Sequence, residues 1–130
     1  GFWRYFQDNN GRPIAPDLEG YVWIRNNLPP DSNVFTFSTN LDAIIIGMDM
    51  FICHWCGDLR EYQKIGFNQS AVQNYNFLIS KNIDYFVIDT EAAIRNGINQ
   101  TNYKLQDITN SNRFKQIHKN GYMSVFTILR

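Results

Sequence analysis

The sequence is poor in charge, histidine and cysteine, and each shortage removes a class of function. Charged residues make up 18% of the 130 positions, and 12 basic side chains balance 12 acidic ones to a formal net charge of zero. A neutral chain has no electrostatic basis for gripping nucleic acid or an anionic membrane surface. No apolar run approaches the roughly 20 residues that span a bilayer, and no signal-peptide pattern is present. Two histidines do not convincingly supply a Ser/His/Asp triad, and a four-ligand zinc site at the cysteine pair would have to draw a partner from His118, near the end of the chain. The glycine-rich nucleotide loops, the G-x-S-x-G elbow and the H-E-x-x-H helix are all missing. What remains is a composition 44% hydrophobic and 15% aromatic, enough to bury one core without a metal or disulfide staple.

The stretch Tyr21–Ser38, YVWIRNNLPPDSNVFTFS, carries the plainest structural grammar. Tyr21, Ile24 and Leu28 fall at i, i+3 and i+7, with Leu18 and Val22 alongside, so one side of a helix over 16–28 is apolar. Pro16 suits its first turn and Asp17 and Glu19 suit its dipole; Pro29 and Pro30 stop it. Asp31, Ser32 and Asn33 supply the turn, and Val34–Phe37 reads as a strand. Leu41–Met50 follows the cap cluster Ser38-Thr39-Asn40 and reads as a short buried helix in preference to a strand over Ile44-Ile45-Ile46. Gly57–Lys64 reads as a loop with one turn of helix. Ser70 caps a helix reaching residue 81, and Ile83–Ile88 is the strongest strand, apolar enough to be central. Asp89 caps a helical turn closed by Gly97. Period-two alternation over Arg113–His118, then Asn120-Gly121 and Tyr122–Leu129, predicts a closing hairpin. Residues 1–15, with Phe2, Trp3, Tyr5 and Phe6, form an aromatic-rich terminal or membrane-proximal segment, and 16–130 form one domain. A first residue of glycine without methionine suggests an excised fragment or a tag remnant.

Candidate chemistry is sparse. Cys53-His54-Trp55-Cys56 is compatible with a redox dithiol, half a metal site, or a structural pair, either buried thiols or a local disulfide. The preceding run reads as helix instead of strand, His118 is the one other histidine, and Gly57 stands where a haem-attachment histidine would be, so the structural reading is favoured. Of the acids Asp42, Asp49, Asp58 and Asp89, Asp89 lies just past a central strand, where α/β sheets place ligand groups. Asp58 and Arg60 flank the presumed loop, set to contact a ligand or each other. Trp3, Trp23 and Trp55 are candidates for stacking on sugar, with Trp23 expected in the core. Asn68-Gln69-Ser70 and Asn99-Gln100-Thr101 match the N-glycosylation sequon, which acts only in an extracytoplasmic setting.

Three stretches taken together resemble a known family. LEGYVWIRNNLPPDSNVFTF, NFLISKNIDYFVID and FKQIHKNGYMSVFTI are similar, in this order, to segments of the extracytoplasmic C-terminal domains of multi-spanning membrane glycosyltransferases. These are the lipid-linked-sugar enzymes related to protein mannosyltransferases and oligosaccharyltransferases. The resemblance covers about half of the chain. It implies that the catalytic acids lie in membrane-proximal loops outside this chain, leaving no catalytic residue to assign here, and that the domain shapes access of donor or acceptor. Phe37-Ser38-Thr39-Asn40 stands where oligosaccharyltransferases carry W-W-D-Y-G, which argues against that activity. The expectation is therefore a three-layer α/β sandwich with a mostly parallel central sheet and a C-terminal antiparallel hairpin, in which Val34–Phe37 and Ile83–Ile88 are central. Its function would be that of an outer-face domain, noncatalytic alone and without cofactor or metal. Its expected partners are the membrane part of the same polypeptide and a glycan, lipid-linked sugar or acceptor polypeptide. The alternatives are a small thiol–disulfide redox domain using Cys53 and Cys56, and a binding or scaffold domain of another membrane protein.

Overall fold

The computed structural model describes residues 15–39 and 57–130. Helix α1 (Ala15–Asn27) buries Tyr21 and Ile24 completely, as the spacing predicts. Pro29 and Pro30 then end it, and the Ser32 amide donates to Pro29 O at 3.0 Å to turn the chain into β1 (Val34–Thr36). Residues 57–64, expected as a loop with one turn of helix, instead belong to a full helix, α2 (Gly57–Ile65), whose buried Leu59, Tyr62 and Gln63 lie at i, i+3 and i+4. A 3₁₀ turn (Gly66–Asn68) leads to α3 (Ala71–Ser80). There Ser70 and Gln73 form a reciprocal capping box that satisfies two amides the helix start would otherwise leave unpaired.

Strand β2 (Tyr85–Ile88) follows, then α4 (Thr90–Asn96), capped by Asp89 and ended at Gly97. The Gly97 φ of 92° is a conformation a side chain would strain. A second helix the sequence reading did not anticipate, α5 (Ile98–Asn110), starts there. The hairpin β3 (Phe114–Asn120) and β4 (Met123–Ile128) closes the chain as expected. Asn120 pairs with Met123, so the turn residues are Gly121 and Tyr122, one position later than the Asn120-Gly121 dipeptide suggests. Gly121 supplies the positive φ of 61°. The register also slips between Gln116 and His118, so Ile117 is the extra residue of a bulge and strict alternation ends there.

The four strands run in the order β1-β2-β4-β3. Only β1 and β2 are parallel; β4 pairs antiparallel with both β2 and β3. The sheet is thus mixed, and the expectation of a mostly parallel one is corrected. Among the described residues β1 has β2 as its one sheet partner, and β2 and β4 are the inner strands. Successive residues of β2 feed alternate apolar clusters. Val87 joins Tyr21, Ile24, Val34, Met123 and Val125, while Phe86 and Ile88 join Phe35, Phe37, Leu78, Ile108 and Phe126. In the second cluster Phe37 meets Phe35, Phe67 and Phe86 edge to face, and Phe86 stacks on Phe126 at 4.9 Å.

Candidate functional site

The polar groups of this domain concentrate where the parallel strands β1 and β2 end. The chain leaves β2 at Asp89, which is fully buried. Its Oδ1 accepts from the Ala92 amide at 2.8 Å, which starts α4, and its Oδ2 accepts from the Tyr21 hydroxyl at 2.7 Å. Tyr21 Oη lies 3.0 Å from Thr36 Oγ1 at the end of β1. One turn earlier on α1, Asp17 is equally buried, and its two oxygens accept from the Thr90 and Glu91 amides at 2.8 and 3.2 Å. Two carboxylates and a phenol therefore tie α1 to the β2–α4 junction.

Around this pair sits a half-exposed rim. Glu91 accepts from Ser38 Oγ and the Thr39 amide, both at 3.3 Å, from Thr39 Oγ1 at 2.9 Å and from Arg95 Nε at 3.1 Å. Arg95 also donates to Phe37 O at 2.5 Å. From α2, Gln63 Nε2 donates to both Thr36 O and Ser38 O.

Electrostatics follow from that burial. Asp89 is pushed from 3.8 up to about 7, chiefly because its site is dry and secondarily because Asp17 and Glu91 repel its charge. The hydrogen bonds from Ala92 and Tyr21 oppose the rise but do not cancel it. Asp17 is raised for the same leading reason, and the Tyr21 phenol well above its ordinary 10.0. A carboxyl that holds its proton near neutrality is the kind of group an acid–base site uses. Here, however, both Asp89 oxygens are engaged by protein donors and no part of the residue meets solvent. The arrangement clamps one element to another.

The candidates chosen from sequence do not converge. Asp89 is the cap just described. Asp58 stands exposed at the start of α2 and forms an ion pair with Lys81 at the end of α3, which lowers its pKa. Arg60 is exposed two residues further on and makes no ion pair with Asp58. Trp23 stacks on His118 of β3 at 4.7 Å between ring centres, a packing role. Cys53 and Cys56, with Asp42, Asp49, Trp3, Trp55 and the stretch 41–50 expected as helix, lie outside the described residues. Among the described residues no cluster of three or more His, Cys, Asp or Glu side chains is placed to hold a metal ion, and no helix is long and apolar enough to cross a membrane.

The sequence reading treated Asp17 only as a first-turn acid. The missed signal is that Asp17 shares the i, i+4, i+7 stripe of Tyr21 and Ile24, so it had to face the core. No protein-family model, curated protein or solved structure matches the chain.

Proposed function

We propose that this domain is the outer-face module of a multi-spanning membrane glycosyltransferase that uses a lipid-linked sugar donor. The module is noncatalytic by itself and positions an acceptor or covers the membrane-embedded site. In this reading its helices lie on both faces of the sheet as a three-layer sandwich, its partner is the membrane part of the same polypeptide, and it sits on the extracytoplasmic side. The observation that carries the reading is the convergence of the three resembling stretches. They are separated in sequence, yet they supply α1 with β1, α3 with β2, and the β3–β4 hairpin, which together are the whole four-stranded sheet. The commitment of Asp17 and Asp89 to backbone amides supports a noncatalytic module, since the most perturbed acids are spent on holding the fold.

The test is sugar transfer from a lipid-linked donor, measured with the parent polypeptide in membranes, with that polypeptide lacking this domain, and with the domain alone. We expect transfer only where the membrane part is present, and reduced transfer when the domain is removed. Transfer by the domain alone, or a parent reading frame without apolar spans, would overturn the proposal.

A further inference from the structure

The two sequons are alike as sequence and unlike as structure. Asn68 ends the 3₁₀ turn, and the two residues after it are extended, Gln69 at φ −84°, ψ 163° and Ser70 at φ −69°, ψ 160°. Asn68 and Ser70 are both exposed at this extended exit from the turn and border the same groove. Asn68 Oδ1 accepts from Gln100 Nε2 at 3.2 Å, whereas its Nδ2 donates to no described residue. Ser70 Oγ accepts from the Gln73 amide, which leaves the hydroxyl proton uncommitted. Beside them lies an open groove of about 240 Å³ bordered by Gln100 and by Tyr103, which is 71% exposed; an aromatic face of that kind covers the apolar side of a sugar ring.

Asn99 is exposed, but it belongs to the first turn of α5. Residues two apart on a helix face different ways. Thr101 is accordingly fully buried and donates to Gly97 O at 2.8 Å and to Ala93 O at 3.3 Å. Its hydroxyl is out of reach of anything acting on the folded chain.

We infer that Asn68 is an N-glycosylation site of the folded domain and that Asn99 is not. The inference rests on the extracytoplasmic placement proposed above. The reaction joins Asn68 Nδ2 to the anomeric carbon of a lipid-phosphate-linked saccharide. The anomeric C–O bond breaks, its electron pair departs with the lipid phosphate, and one amide proton passes to solvent. Replacing that hydrogen costs the fold no hydrogen bond, because the Gln100 contact uses the amide oxygen.

The test is peptide mass mapping of the full polypeptide purified from the cells that make it, alongside protease accessibility of the domain in intact cells. A saccharide mass on the Asn68 peptide is expected, lost in Asn68→Gln, kept in Ser70→Thr, and absent from the Asn99 peptide. An accessible domain with a bare Asn68, or a glycan on Asn99, overturns the inference and leaves the glycosyltransferase reading standing. A protected domain with a bare Asn68 overturns both.

Discussion

Asp89 is a residue whose role depends on which of two rules wins. Its position after an apolar strand followed by Thr90-Glu91 marks it as a helix cap, and it is one. Its burial, shared with Asp17 and Tyr21, makes it a titrating group as well. The folded-state pKa of about 7 lies above the ordinary 3.8, so between those values the folded chain holds a proton that the unfolded chain has released. Stability is then greatest below about pH 4 for this group and falls as pH rises through 7, by an amount on the order of a few kcal/mol. Asp89→Asn keeps an acceptor for the Ala92 amide and removes the ionisation. We expect its thermal midpoint to vary less between pH 5 and pH 8 than that of the parent chain. Equal slopes in the two proteins would show that Asp89 is ionised throughout. The cap was legible from sequence. The partnership with Asp17, 72 positions away, was not, because nothing local distinguishes an acid that serves its own helix from one that reaches another.

At the scale of elements, burial of polar residues explains what periodicity did and did not disclose. Helix α1 was legible because Tyr21, Ile24 and Leu28 are apolar where they face the core. Helix α5 was not, since two of the residues it buries are Thr101 and Lys104. Lys104 Nζ donates to Gln69 O at 2.7 Å and contacts Asn74 Oδ1, while Asn74 Nδ2 donates to Tyr62 and Gly66 O. A hydrogen-bonded interior replaces the apolar stripe, so a hydrophobicity pattern finds nothing, and burial brings Lys104 down to about 8. Helix α2 hides likewise, with Gln63 on its inner side. The packing of α1 depends on Gly20. A Cβ there would run into Met123 Cγ and Cε, and Met123 is fully buried in β4. Gly20→Ala should therefore destabilise the domain by about 1–3 kcal/mol despite the better helix propensity of alanine. Combined with Met123→Ala, the cost should be less than the sum of the two single changes, because one side chain's removal makes room for the other. Denaturant unfolding of all four proteins measures this; strict additivity would mean that the helix simply shifts to admit the methyl.

For the molecule as a whole, the apolar run Ile83–Ile88 reads as a central strand, and strands buried on both faces are usual in parallel sheets. The inference from composition to double-sided burial holds, since Val87 and Phe86 enter different clusters. The step from double-sided burial to parallel neighbours fails, because the last strand in sequence takes the place beside β2 and runs against it. Strand order is set by which long-range pairing completes both clusters, and no local pattern encodes it. The consequence is that the C-terminal hairpin is no appendage. Met123 and Val125 complete one cluster, and Phe114, Phe126 and Ile128 the other. At about 1.5–3 kcal/mol for each buried side chain, five of them are worth on the order of 10 kcal/mol, comparable to the roughly 5–15 kcal/mol that separates a folded domain from its unfolded chain. Removing residues 113–130 would also expose the full hydrogen-bonding edge of β2, an invitation to association. We expect that shortened chain to lose its cooperative thermal transition and near-ultraviolet dichroism and to aggregate at micromolar concentration. A sharp, reversible transition in it would mean that β1, β2 and the helices form an independent unit, with the hairpin merely docked against it.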